Sequence, residues 1–394
     1  MTPPHARAAR LTPAGRGAIA AVLVSGPGAT EIVDRLFNSA NGRPLAEQPL
    51  DRIVFGRWGG EELIVCRRGP EQLEVQCHGG SAAVEALIRS LAEHGIVIES
   101  WEEHVQQVAG DRLAAEAWQM LAQVQTERAA LILLDQFHGA LRREIDAICQ
   151  AAGAGQFTAA LAGIDALLAR ASIGRHLVRP FRVVLAGRPN VGKSSLVNRL
   201  LGYGRAITSP VPGTTRDIVT ATTALDGWPV ELVDTAGLHE AGSELESQGI
   251  ERAATEIRSA DLVLLVHDAS AASDGPSSAS SDITLNAVIA SSRSVGTLLE
   301  VWNKADLVPP AERDQPAEYY ASAASGEGLD RLAAQIGRRL MGNPPKPGCG
   351  VPFIERHVQA LERARDLLAS GASDAALACL LMIVADERPA PACQ

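Results

Sequence analysis

One stretch restricts the fold of this 394-residue chain more than any other. FRVVLA at 181–186 has strand character, GRPNVGKSS follows at 187–195, and LVNRLL at 196–201 has helical character. A G-x-x-x-x-G-K-S pattern at a strand-to-helix junction is the arrangement of a phosphate-binding loop. Gly187 and Gly192 let the backbone curl, so that amide N–H groups of the loop, Asn190 to Ser195, and a helix N-terminus face a phosphate. Lys193 brings a charge toward the β/γ oxygens, and Ser194 offers a hydroxyl to Mg2+. This part of the chain therefore has to fold as an α/β domain.

Three further segments turn that loop into a nucleotide site. VELVDTAG at 230–237 places Asp234 at a strand end, where a carboxylate can hold the water shell of Mg2+, and Gly237 where an amide can meet a γ-phosphate. Between loop and strand, PGTTRD supplies Thr214 and Thr215, and a hydroxyl closing on Mg2+ only when the γ-phosphate is present would make residues 209–217 a switch. NKAD at 303–306 follows the strand-like TLLEVW, and Asp306 can accept from both N1–H and N2–H of guanine, a donor pair that adenine lacks. Asn303 and Lys304 belong to the same motif, and Ser322, Ala323 and Ala324 suit a backbone contact to guanine O6. The expected ligand is GTP.

Hydrolysis needs a group that orients water. The position directly after Gly237 is Leu238, whose apolar side chain cannot do this, so the assistant has to come from elsewhere. GSELESQGIERA at 242–253 offers Glu244, Glu246 and Glu251, which could equally serve as N-terminal helix carboxylates. Arg216 is a possible donor to the phosphates. Asn190 presents a side-chain oxygen near them, and a monovalent cation held there would supply positive charge, which predicts potassium-dependent turnover.

The rest of the chain divides by composition. Strands at 18–24, 52–55, 63–66 and 73–76 alternate with helices at 31–37 and 82–94, giving an α/β unit over residues 1–102. Residues 105–170 contain no proline and space apolar residues three and four apart, as at Leu131, Leu134, Ile145 and Ile148, which reads as helical. After Arg179-Pro180 the α/β pattern resumes until NPPKPGCGVP, and helical periodicity returns at 355–368 and 374–384. We therefore expect a discontinuous helical domain, 103–178 and 344–394, with an α/β domain inserted at 179–342. ASAASDGPSSASS at 269–281 reads as a surface loop.

Bulk properties narrow the partners. Hydrophobic residues at 46% and charged residues at 21% describe a globular chain and exclude wholesale disorder. A formal charge of -10, from 36 Lys+Arg against 46 Asp+Glu, gives no general attraction to phosphate backbones, so a nucleic acid would need a local basic patch or a basic partner. The six cysteines show neither CxxC nor zinc spacing, which suits a reducing, cytoplasmic setting. The start, MTPPHARAARL, lacks an apolar signal core, and the longest apolar run, 375–385, falls short of the roughly 20 residues of a membrane span, so no membrane partner is expected.

Taken together, GRPNVGKSSLVN, PGTTRD, DTAGLHEAGSELESQGIERA and NKAD resemble the MnmE (TrmE) family of tRNA-modification GTPases over essentially the whole inserted domain. LTPAGRGAIAAVLVSGPGA and EVQCHGG resemble that family's N-terminal folate-binding domain, whereas the helical regions match loosely. The resemblance implies a folate-binding-like α/β domain, a helical domain and a Ras-like P-loop GTPase domain. It implies potassium ligands at Asn190, Ser209, Val211 and Thr214, magnesium ligands at Ser194 and Thr215, and a water-polarising glutamate at Glu246, beside catalytic roles for Lys193 and Gly237. It also implies a homodimer formed through the N-terminal domain, juxtaposed G domains during hydrolysis, and a flavoprotein partner, MnmG, in modifying the wobble uridine of tRNA. Three departures bear on one-carbon chemistry with 5-formyl- or methylene-tetrahydrofolate, the first being that the family's stretch of phenylalanine, asparagine, glycine and lysine before the helical domain has no counterpart after Trp101. Leu23 stands where the family carries a folate-contacting arginine, and the Cys-Ile-Gly-Lys motif is absent, Cys393 lying in PAPACQ. Glu74 is the one folate-contacting position that could persist, the alternative being a plain edge-strand carboxylate. A divergent paralogue, acting as a GTP-driven switch on another client, is the alternative expectation.

Overall fold

The computed structural model describes residues 5–15, 17–203, 220–234, 255–271, 298–313, 315–316 and 319–385. They form two compact units, Met1–Gly110 and Asp111–Gln394. The first unit is built on strands β1 (Arg7–Arg10), β2 (Ile19–Ser25), β3 (Asn38–Ser39), β4 (Ile53–Trp58), β5 (Glu61–Gly69), β6 (Gln72–His78) and β7 (Val97–Glu99). They form one sheet in the order β3-β4-β5-β6-β2-β1-β7, antiparallel except for the β1–β7 pair. Helices α1 (Ala29–Leu36) and α2 (Ser81–Glu93) pack on β6. Strict alternation along β4, with Val54 buried between exposed Ile53 and Phe55, marks a sheet with one face in the core. Val22, Val24, Val65, Leu73 and Val75 supply that face, and Val33, Leu87 and Leu91 meet it from the helices.

A third helix, α3 (Trp101–Val108), opens with a capping box in which Ser100 and Glu103 exchange side-chain and backbone hydrogen bonds. It stays with the sheet: His104 Nδ1 lies 3.0 Å from Glu99 and Gln107 donates to the same carboxylate at 2.8 Å. The division between units consequently falls after Gly110, beyond the residue-102 boundary expected from composition.

The second unit joins a helical bundle to a five-stranded sheet. Its helices are α4 (Arg112–Leu121), α5 (Glu127–Phe137), α6 (Ala140–Gly153), α7 (Phe157–Leu168) and α8 (Ala171–Arg175). The sheet comprises β8 (Phe181–Ala186), β9 (Thr220–Leu225), β10 (Trp228–Asp234), β11 (Leu262–Asp268) and β12 (Leu298–Asn303), with α9 (Lys193–Tyr203) and α10 (Leu329–Met341) packed against it. Helices α11 (Glu355–Ala369) and α12 (Ser373–Val384) return to the bundle, α11 against α7 and α12 against α6. Within α5 the inward residues are Ala129 and Leu133, while Leu131 is 56% and Leu134 39% exposed, so the spacing that reads as helical at Leu131 and Leu134 does not mark the buried stripe. The run ALILL is apolar at five consecutive positions, so only packing selects its buried stripe. The stretch Phe157–Arg175 is long and apolar enough to span a membrane by composition, a test that buried core helices also pass, and Ala160, Ile164 and Leu167 on it line the bundle core.

A partly buried polar cluster ties α4, α11 and α12 together. Glu116 accepts from Arg356 at 2.7 Å and lies 2.9 Å from His357 Nε2, while Arg356 also donates to Met382 O at 2.8 Å. Burial alone would push the Glu116 carboxyl up, but His357 and Arg356 outweigh it and hold it below the usual range.

The sheet order is β12-β11-β8-β10-β9, with β9 alone antiparallel. Both faces are covered, which explains the near-continuous apolar strands such as LVLLV in β11. The turn between β9 and β10, Asp226-Gly227, docks on the bundle: Arg128 of α5 reaches Asp226 at 3.3 Å and lies over the Trp228 ring at 5.5 Å. Ala269–Ala271, read as the start of a surface loop, is a short 3-10 turn with Ala269 in the core; residues 272–281 lie outside the described residues.

Candidate nucleotide site

The phosphate end is shaped by backbone. β8 ends at Ala186, α9 starts at Lys193, and Gly187, Asn190 and Gly192 between them have φ of 146°, 63° and 91°. Two of these positions admit nothing larger than glycine: a Cβ on Gly187 would lie 2.3 Å from Val266 O, and one on Gly192 2.4 Å from Asn303 Nδ2. The sequence alone calls for glycine curvature; the close neighbours come from β11 and β12.

Lys193 is 4% exposed and its ammonium donates to Gly187 O and Arg188 O, both at 2.9 Å. It is thereby held over the loop. Burial pushes its pKa down, against the opposing charge of Asp234. Ser194 Oγ donates to Asp234 Oδ2 at 2.5 Å, because parallel pairing of β10 with β8 brings Asp234 level with Leu185 at the loop's entrance. A hydroxyl beside a carboxylate is a hard-oxygen donor set that fits Mg2+.

The base end is assembled from distant segments. Asn303, 2% exposed at the end of β12, donates to Val191 O at 2.9 Å and accepts from Ala323 N at 3.1 Å. One side chain thus fastens the phosphate loop to both base loops. Asp306 is exposed, and its Oδ1 accepts from the hydroxyl of Ser322, which is fully buried and also accepts from Ser325 N at 3.0 Å. Ala323 is half-buried and Ala324 exposed beside it, while Asn190 and Ser195 are exposed at the other end.

Sequence reasoning did not single out Asp268. It ends β11 in register with Asn303 and binds Lys304 at 2.6 Å, with Ser270 donating to its other oxygen. Burial raises the Asp268 carboxyl, but the Lys304 and Ser270 hydrogen bonds prevail and hold it below its usual range. An aspartate at a strand end beside a sequence-distant lysine carries no motif, so only strand order reveals the pair. Ser209, Val211, Thr214, Thr215, Gly237 and Glu246 lie outside the described residues.

In the first unit, Glu74 lies directly across from Leu23 in the β2–β6 pairing. Its carboxylate accepts from Arg68 Nε at 3.0 Å and Nη2 at 2.9 Å, and from Gln76. A leucine thus stands opposite a carboxylate that its own sheet engages.

A sequence profile described as "50S ribosome-binding GTPase" matches residues 182–304, from β8 through Lys304. The tRNA modification GTPase MnmE of Thermus thermophilus is 34% identical over 394 residues, covering 91% of this chain and 87% of that one. The protein of the same name from Symbiobacterium thermophilum is 34% identical over 384 residues, 84% of this chain and 81% of its own.

The chain belongs to the MnmE family.

A third MnmE, from Moorella thermoacetica, is 32% identical over 92% of this chain and 88% of its own length, so the kinship takes in the first unit and the bundle as well as the nucleotide site. Among solved structures, Era of Aquifex aeolicus bound to GDP.AlF4- is 26% identical over 47% of this chain and 65% of its own, with a TM-score of 0.31, a likeness too low to carry an argument.

Proposed function

We propose that this MnmE-family chain binds GTP with Mg2+, hydrolyses it, and works in tRNA modification as the name of its relatives states. The observation that carries the reading is Asn303, which joins the phosphate loop at Val191 to the base loop at Ala323 through one buried amide. Between these contacts a guanine nucleotide would meet Gly187, Val191, Gly192, Lys193, Ser194 and Ser195 at its phosphates. It would meet Lys304, Asp306, Ser322, Ala323 and Ala324 at its base. Asp306 accepts from guanine N1–H and N2–H, a donor pair that adenine cannot supply, and a charge-assisted hydrogen bond of this kind is worth about 1.5 to 3 kcal/mol. Ser194 and Thr215, with Asp234 through water, would hold Mg2+, which supplies positive charge to the β- and γ-phosphates.

Lys193 then neutralises charge that builds on the bridging oxygen, and Gly237 and Glu246 are assigned to the γ-phosphate and the attacking water. Potassium at Asn190, Ser209, Val211 and Thr214 would add charge on closure of two G domains. Equal turnover in sodium and potassium would remove that part. The whole reading is tested by labelled GTP and ATP in magnesium buffer: GTP binds, ATP does not, and the reverse result ends it.

A second reading has its own observation. With Leu23 facing Glu74, and Glu74 bound by Arg68, one-carbon chemistry in the first unit is degraded and the chain acts as a GTP-driven switch for another client. Calorimetry with 5-formyltetrahydrofolate discriminates, since heat of binding would favour tRNA modification with folate and silence the switch. An MnmG-like flavoprotein, tRNA and a homodimer are the partners proposed under the first reading, in a cytoplasmic setting.

A further inference from the structure

Arg313 belongs to no recognised motif of the site, yet its side chain is only 8% exposed. Its Nη2 donates to Ala305 O at 2.9 Å and to Val308 O at 3.2 Å, and its Nε to Val308 O at 3.2 Å. Those carbonyls bracket Asp306, one residue before it and two after. On the other side, Nη1 donates to Glu327 Oε1 at 2.7 Å and Nη2 to Oε2 at 3.3 Å. The guanidinium also lies 5.1 Å from the centre of the Tyr320 ring.

These bonds close a ring. Glu327 O accepts from Ser322 N at 2.9 Å, and the Ser322 hydroxyl donates to Asp306. The path therefore runs from Arg313 to the backbone around Asp306, through Asp306 to Ser322, through Ser322 to Glu327, and back to Arg313. Arg313 and Glu327 thus tie the 305–308 backbone to the 322–327 loop from outside the base-reading residues, and the ring loses its closure without the guanidinium. A planar fork with five N–H donors serves two carbonyls and both oxygens of a carboxylate from separate nitrogens, whereas the ammonium of lysine offers three donors from one point. The Glu327 carboxyl is held below its usual range by its hydrogen bond to Arg313, so the pair stays charged at neutral pH.

We propose that Arg313, with Glu327, is a positioning pair for guanine recognition, setting the distance and orientation of the Asp306 carboxylate relative to Ser322 and Ala323. This rests on the guanine reading of Asp306. Among the described residues the ring's hydrogen bonds stay within 305–327 and none reaches the loop at 187–194, so its effect falls on how the base is discriminated.

The test is stopped-flow dissociation of fluorescent GDP, with competition by unlabelled GDP and inosine diphosphate, on the full chain. Inosine lacks the 2-amino group, so the affinity ratio of GDP to inosine diphosphate reports how well Asp306 is placed. For Arg313→Lys and Glu327→Gln we expect GDP to leave about tenfold faster and the ratio to shrink by a similar factor. A merely structural role would weaken both nucleotides equally and leave the ratio unchanged, and that result, or unchanged dissociation, overturns the proposal. Arg313→Ala is the harsher form; should it fail to fold, the two conservative variants decide alone. Wild-type protein without preference for GDP over ADP would instead remove the underlying site assignment, a failure distinct from an unaltered ratio in the variants.

Discussion

At the phosphate end of the site, the groups described come from residues 187–194 and their neighbour Asp234, and the loop's form follows from glycine, a left-handed Asn190 and a lysine folded over its own carbonyls. At the base end they come from Asp268, from 303–308, from Arg313 and from 322–327, and no local pattern brings them together. The first end is dictated by backbone and resists little but its own sterics. The second is a set of side-chain ties whose geometry can drift when one is cut. Damage at the phosphate end should therefore abolish binding of every nucleotide, whereas damage at the base end should blur which nucleotide is chosen.

Lys193→Ala offers the hardest test of that contrast. Loss of a charged donor to phosphate, about 3 kcal/mol, predicts roughly hundredfold weaker binding of GTP and of inosine triphosphate alike. A base-dependent loss in equilibrium titration would break the comparison. Gly192→Ala comes next, because it strikes the point where the two ends meet: the new Cβ would press on Asn303 Nδ2 at 2.4 Å with φ at 91°. Strain of about 1 to 2 kcal/mol plus the disturbed Asn303 bond predicts weakening of roughly thirtyfold, with base selectivity also reduced.

Asp306→Asn should cost GTP about tenfold, and because its amide can donate where the carboxylate accepted, xanthosine triphosphate should gain while phosphate contacts are untouched. Competition titrations measure both, and equal loss for the two bases would deny Asp306 its role. The gentlest probe is pH. Lys193 has a pKa pushed below the ordinary 10.5 by burial, so nucleotide affinity should fall severalfold at alkaline pH before a free lysine would titrate. The carboxyls of Asp268 and Glu327 are depressed, so their ties persist above the ordinary 3.8 and 4.5 and loosen only as pH falls through still lower values. Base selectivity should thus stay flat from about pH 5 to 8, and a change within that window would contradict the ion-pair description.

Legibility followed the same division. The phosphate loop could be read because glycine, lysine and serine at fixed spacing act within one strand-to-helix turn, and NKAD could be read because it is contiguous. Asp268, Arg313 and Glu327 could not, since their partners lie 36, 5 to 14 and 14 residues away and meet only after β11 and β12 pair and the 322–327 loop closes. In the bundle, helices were evident from composition, but the buried face of α5 was not, because an unbroken apolar run fits more than one stripe.

By itself, then, the sequence determined the parts whose physics is local: glycine where the loop must curve, a lysine at a helix start, near-continuous apolar strands, and the helical periodicity of the bundle segments. Tertiary structure decided the rest, which is everything that depends on two distant groups arriving at one distance. It seated Asn303 on the phosphate loop, closed the Arg313 ring around Asp306, and kept α3 with the first sheet. Hydrogen bonds and ion pairs act over about 3 Å, a separation that chain spacing does not encode and only packing sets.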